Sequence, residues 1–195
     1  KRPVESVSWC DAVLFCNKLS ENEGLEPCYA LPEGLETACK NQSDSAGDSV
    51  DALSKEVKWN QNANGYRLPT EAEWEYCARG GEELKYAGSD NIDEVGWYGK
   101  NSGSGTHRVG EKKANGYGLY DMSGNVWEWV WDSWKREYES STTDPVYIDS
   151  SSSERVFRGG GWVSNAWRTR VSFRRWNDAS SCFSDVGFRI LRTIP

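Results

Sequence analysis

Apolar positions along this chain fall into helical spacing twice and strand spacing twice, and elsewhere into no clear period. In "SVSWCDAVLFCNKLSENEGL", Trp9, Ala12, Val13, Cys16 and Leu19 share one helical face. Ser8 stands where an N-cap belongs, Asp11 follows three residues on, and Gly24 offers a left-handed stop. In "YRLPTEAEWEYCARGG", Thr70 and Glu73 have the spacing of a capping box and Gly80-Gly81 closes the helix. Trp127, Trp129 and Trp131 alternate with Glu128 and Val130, which is strand period, and "VGFRI" near the C-terminus alternates in the same way. Residues 41–55 are polar, rich in Ser and Asp, and read as an exposed loop. A long irregular stretch leads to Glu154, and there is no internal repeat. Two helices, several short strands and abundant loop predict an α+β fold. One segment resists this reading. Residues 155–190 open on a glycine turn, "RGGGW", and close on "VGFRI", yet the middle mixes Ser, Asn, Asp, Arg, Trp and Phe with little periodicity.

Composition narrows the picture. The chain has 195 residues, enough for one domain spanning 1–195 with a real core. Only 37% of residues are hydrophobic, while Trp numbers eleven and Gly nineteen, so the expected core is built from rings inside a loop-rich fold. A net charge of −7 argues against a nucleic-acid partner, which needs a basic face. The charge is uneven: from Arg155 onward there are eight Arg, no Lys and two Asp. Arginine suits packed and interfacial contacts, so these side chains either brace the core or present a surface. The six cysteines contain no CxxC pair, which disfavours a zinc ribbon; disulfides and buried free thiols both remain open. His107 has no second histidine to complete a triad or a histidine metal centre, so a loop or core role is expected for it. No stretch is long and apolar enough for a membrane span, and no signal peptide is visible. The chain starts with Lys, so a trimmed N-terminal address, including a lipid anchor, is the one membrane link expected.

Three long motifs, "GYRLPTEAEWEYCARGG", "NGYGLYDMSGNVWEW" and "RGGGW…VGFRI", together resemble the formylglycine-generating-enzyme (sulfatase-modifying factor) family, in the same order and over nearly the whole chain. The resemblance implies a C-type-lectin-like fold of the elaborated, loop-rich subtype, lacking an early strand region that family domains usually carry. The family's oxidase uses two copper-binding cysteines shortly after the glycine turn. Aligning "RGGGW" places those positions at Ser164 and Thr169, neither of which offers a thiolate. The expectation is therefore a non-enzyme with no catalytic cofactor; the alternatives are an oxidase relative with altered or lost chemistry and an accessory binding domain that is not diversified. The tripeptide Trp176-Asn177-Asp178 matches part of the calcium-and-sugar site of true C-type lectins, but the carboxylate–Pro–amide motif that accompanies it there is absent.

The middle of residues 155–190 resembles the variable region of proteins diversified by retroelements, a subfamily in which error-prone reverse transcription randomises template adenines. The frame is a glycine turn and Trp, three variable positions, Ala, further variable positions broken by fixed Arg, and a run leading into "VGFR". The implied variable, ligand-binding positions are Val163, Ser164, Asn165, Trp167, Arg168, Thr169, Phe173, Arg175, Trp176, Asn177, Asp178, Ser181, Cys182, Phe183, Ser184 and Asp185. Most of these residue types arise from an AAC codon by changing its adenines; Trp167 and Trp176 do not, and need another template codon such as AGG. Independently of the resemblance, the segment has the makeup of a paratope, with rigid rings for contact area and Arg, Asn and Ser for directional hydrogen bonds. These positions are expected to converge on one exposed surface while Arg170 and Arg174 point away to brace the scaffold. The expected partner is a protein or other macromolecule met at a bacterial cell surface or outside the cell. The resemblance also implies a structural Ca²⁺ held by Asp121, Gly124, Val126 and Glu128: two carboxylates and two backbone carbonyls, all hard oxygen donors. The alternative is that Asp121 and Glu128 simply hold turns.

Overall fold

A computed structural model describes residues 1–41, 44–137 and 145–193. Both helices read from the sequence form where their caps place them. Helix α1, Trp9–Asn22, starts at Ser8, whose hydroxyl accepts from the Asp11 amide at 3.0 Å while the Asp11 carboxylate accepts from the Ser8 amide at 2.9 Å. Gly24 follows its end at φ +68°. Two further helices come next, α2 (Leu35–Lys40) and α3 (Asp44–Ser54). Helix α4, Glu71–Arg79, has the reciprocal Thr70–Glu73 box and stops at Gly80 with φ +60°. A single turn, α5 (Ile92–Val95), completes the helices of the described residues.

Helix α3 corrects the expectation of a loop over 41–55. Its residues have poor helix propensity, but Val50 and Leu53 lie three apart and pack into the main core, and Ser54 is buried. Short helices draw their stability from such packing more than from propensity. The Asp51 carboxylate also accepts from the amide and hydroxyl of Ser180, at 2.9 and 3.1 Å, which ties α3 to the C-terminal segment. A Cys10–Cys39 disulfide joins α1 to α2, while Cys16, Cys28, Cys77 and Cys182 are free thiols.

The described residues form eight short strands: β1 (Tyr29–Ala30), β2 (Lys58–Trp59), β3 (Tyr66–Arg67), β4 (Trp127–Ser133), β5 (Glu154–Arg158), β6 (Arg174–Asp178), β7 (Val186–Phe188) and β8 (Leu191–Arg192). Two pairs, β1–β2 and β3–β8, are minor antiparallel ribbons. The main sheet has the order β6-β5-β4-β7, with β5 antiparallel to β4, β6 antiparallel to β5, and β7 parallel to β4. The alternation seen in β4 does divide it into two faces, but neither faces solvent: all seven residues are buried. Trp127, Trp129 and Trp131 pack with Trp9, Tyr29 and Phe157 on one side; the Tyr29 and Trp131 rings stack at 4.8 Å. On the other side Val130 joins Trp74, Ala78 and Met122 under α4. This two-sided ring core is the platform from which residues 159–185 are suspended.

Candidate functional site

The segment leaves β5 through Gly159-Gly160-Gly161. Gly159 and Gly160 lie at φ +95° and +79°, and a Cβ at Gly160 would stand 2.5 Å from the Thr169 methyl, so only glycine suits this turn. The Asn125 carbonyl accepts from the Trp162 amide, and the Ser102 hydroxyl donates to the Trp162 carbonyl at 2.9 Å. A 3₁₀ turn, Ala166–Thr169, follows before the chain enters edge strand β6. Residues 179–185 then connect the β6 edge to β7 at the opposite edge, with the Ala179 carbonyl accepting from the Cys10 amide of α1.

Arginines fix the frame from beneath. Arg158, fully buried, pairs with Glu71 at 3.2 Å and with Glu75, and also donates to the Phe173 carbonyl. Arg174 makes a two-pronged contact with Glu71 at 2.6 Å per bond, donates to the Lys135 carbonyl at 2.7 Å, and lies over the Trp134 ring. Arg155 sits over Trp9 and donates to the Ser133 hydroxyl and the Ser54 carbonyl; burial lowers its pKa to about 10, which still leaves it charged at neutral pH. Arg189 grips both oxygens of Glu128 at 2.6 and 2.7 Å. Such two-pronged, charge-assisted contacts fix direction as well as supplying energy.

Against this frame the sequence-derived positions separate. Val163, Trp167, Trp176 and Phe183 are exposed by 54, 46, 40 and 42%, whereas Ser164 and Thr169 are exposed by only 3 and 0%. Asn165, Arg175, Cys182 and Ser184 are also exposed; Arg168, Phe173, Asn177, Asp178, Ser181 and Asp185 are half-buried. Ser164 and Thr169 therefore do not lie on the exposed surface of the segment. The Ser164 hydroxyl accepts from the Gly161 amide at 3.0 Å and its carbonyl from the Gly99 amide at 2.9 Å, while the Thr169 hydroxyl donates to the Ala166 carbonyl at 2.8 Å.

The expectation of one common surface also needs correction at β6, because strand period turns successive residues to opposite faces. Arg174 and Trp176 both meet Trp134, whereas Arg175 lies toward Phe157 on the other face. On that second face Trp167 meets Phe173 edge-on at 5.0 Å, and Phe173 rests against Trp127. Asp185 lies near Arg175: its carboxyl is pushed up by burial and drawn back first by its own backbone amide and then by the Arg175 charge. The Trp162 indole donates to the Ser184 carbonyl at 2.9 Å, so the 3₁₀ turn and the 182–185 run are fastened to each other. Of the two arginines expected to brace, Arg174 does and Arg170 is exposed. Trp134 was missed as a site neighbour because it lies in a stretch without period; its ring beside Trp176 has no local sequence signal.

Of the four residues implied for calcium, Asp121, Gly124 and Val126 precede β4 and Glu128 is its second residue. Asp121 adopts φ +57°, and one carboxylate oxygen accepts from the Gly110 amide while the other is buried without a partner. Its pKa is raised first by burial and then by Glu128. Glu128, however, already meets a cation: Arg189 holds both its oxygens and the Trp74 indole donates to one of them at 2.6 Å. As arranged, the donors do not fit a four-ligand calcium site, since Glu128 is committed elsewhere. His107 takes a loop position, stacked on Trp97 at 3.8 Å with its Nε2 at 2.7 Å from the Ser102 carbonyl.

Comparison with known proteins agrees with this architecture. Residues 1–194 match the family model described as the sulfatase-modifying factor enzyme 1-like domain. The structure is similar to that of Treponema denticola variable protein 1, with a TM-score of 0.83 and 42% identity over 97% of this chain and 70% of that one. In sequence it is 38% identical to chaperone protein LppX of Paenibacillus barcinonensis, over 99% of this chain and 70% of the relative. It is 33% identical to the formylglycine-generating enzyme of Thermomonospora curvata, over 82% of this chain and 62% of that enzyme. The α+β fold is thus that of a known group: the chain belongs to the formylglycine-generating-enzyme (sulfatase-modifying factor) family, with a variable protein among its relatives.

Proposed function

We propose that this protein is a ligand-binding protein of a bacterial surface or extracellular space, whose contact residues lie within 155–190 and are diversified by a retroelement. One observation carries the reading. Large apolar side chains that a fold normally buries, Val163, Trp167, Trp176 and Phe183, stand exposed along one short segment, while the backbone between them is tied down by buried arginines and hydrogen bonds. Rigid rings on a fixed frame lose little entropy on binding, which is what a contact surface needs. Similarity to a variable protein and to LppX supports the surface setting.

The reading carries no catalysis. The two hydroxyls at the positions of the family's copper cysteines are buried and hydrogen-bonded within the turn, so neither is available as a nucleophile or ligand. Incubation with a cysteine-containing sulfatase peptide, copper and oxygen leaves the peptide mass unchanged; conversion of the cysteine to an aldehyde overturns this part. Diversification is tested by sequencing the locus. A near-copy of the coding region for 158–189, with Asn codons at the exposed positions and a reverse transcriptase gene beside it, is the expected result. If no such copy exists, the segment is a fixed binding site. Similarity to a protein named a chaperone favours that second reading, of an accessory binding domain.

A further inference from the structure

The arginines of the C-terminal segment fall into two sets. Arg155, Arg158, Arg174 and Arg189 are committed to carbonyls, hydroxyls or carboxylates of the frame. Arg168, Arg170 and Arg175 form no ion pair with a carboxylate among the described residues. That is notable in a chain carrying 30 acidic side chains and a net charge of −7. A surface arginine on so acidic a protein has many intramolecular partners within reach of sequence, yet these three use none.

Two of the unpaired set lie beside rings, Arg168 by the exposed Trp167 and Arg175 by the buried Phe157. The Arg168 guanidinium lies 5.0 Å from the Trp167 ring centre, and Arg175 lies 6.0 Å from that of Phe157. A guanidinium laid on a ring keeps its N–H fork in plane and free to take a carboxylate with two bonds. Arg175 lies close enough to Asp185 to lower the pKa of that carboxyl, yet the two form no ion pair. The segment thus carries three arginines outside any ion pair among the described residues on an acidic body, and their charge complement is acidic.

Resting on the binding reading above, we propose that the partner is an acidic protein surface, one that presents carboxylates beside apolar side chains. Exposed Val163 and Phe183 decide for protein over polyanion: a phosphate or sulfate polymer offers charge to the arginines but nothing to cover these apolar groups.

The test is selection from a random peptide library displayed on phage, with the intact chain immobilised. Enriched peptides are expected to carry net negative charge and at least one large apolar residue. Their binding weakens by about tenfold or more in the variant Arg168→Gln, Arg170→Gln, Arg175→Gln, and weakens as salt is raised because exposed charges are screened beyond about 8 Å at physiological ionic strength. A second variant, Trp167→Ala with Phe183→Ala, also loses binding. Neutral or basic peptides whose binding fails only in the second variant overturn the acidic partner and leave the binding site standing. Peptides indifferent to both variants, or no enrichment, count against the site and the partner together. Retention of heparin in place of peptides, abolished by the arginine substitutions, assigns the face to a sulfated polysaccharide and overturns the proposal. Self-association in sedimentation, abolished by the same substitutions, assigns it to a second copy of the chain and does so too.

Discussion

Arg158 and Arg168 stand ten positions apart in one segment and have opposite fates. Arg158 is fully buried against Glu71 and Glu75; Arg168 is half-buried beside the Trp167 ring and pairs with no acid among the described residues. The same contrast separates Arg174 from its neighbour Arg175, one strand position on, because β6 turns one inward to Glu71 and the other toward the ring-lined face. The difference shows how a short segment can serve two purposes. Buried charge, once paired, fixes the backbone direction strongly, since misplacing either partner strands the other. Surface charge left unpaired contributes almost nothing to stability and is free to meet something else.

The sharpest way to break this comparison is Arg158→Ala. It removes one of two cations from buried Glu71, which keeps Arg174, and one of two from Glu75, which keeps Arg79, and a loss of about 3–5 kcal/mol is expected by denaturant melting, as for other broken buried pairs. A smaller effect belongs to Ser164→Leu. Its site beneath the glycine turn is filled, so overpacking should cost about 1–3 kcal/mol. Removing Arg168, Arg170 and Arg175 by substitution to Gln should change stability by no more than about 0.5 kcal/mol each. A midpoint shift as large as that of Arg158→Ala would show these arginines to be structural.

Asp132 sharpens the paired side from another angle. It is buried beside the Glu71 amide and the Tyr147 amide, and desolvation lifts its pKa to about 6 from an ordinary 3.8. The folded state therefore holds this proton to higher pH than the unfolded state. Its contribution to stability is greatest in acid, falls as pH rises from about 4 to about 6, and stays low above that. The gain in unfolding free energy between pH 7 and pH 5 should be larger in the parent than in Asp132→Asn. An equal gain would place the Asp132 pKa near its ordinary value.

Much of the scaffold was legible in the sequence because its signals are local. Ser8 with Asp11, Thr70 with Glu73, and the two glycine stops act within one turn, and the Trp alternation marks β4 directly. Helix α3 was not legible, since it stands by packing Val50 and Leu53 against distant residues and its own composition reads as loop. Within the site, the glycine turn and the exposed rings were recognisable, but the burial of Ser164 and Thr169 was not. Both are small polar residues, and what hides them is contact with Gly160, Gly161 and Gly99, set by the turn and by a loop about sixty residues away. The split of Arg175 from Trp176 follows from strand period, and only the formation of β6 in an apparently unpatterned stretch reveals it.

The central claim is that exposed positions of the segment are free to vary while the frame is not. Two libraries test it directly, one randomised at Val163, Asn165, Trp167, Arg175 and Phe183, the other at Ser164, Thr169, Arg158 and Arg174, each sorted for resistance to proteolysis in denaturant. Most members of the first library should unfold cooperatively near the parent midpoint, because exposed substitutions typically cost about 0.5 kcal/mol or less each. Few members of the second should fold at all. Equal survival of the two libraries, or collapse of the first, would mean that these rings and arginines hold the fold together and do not form a surface for a partner.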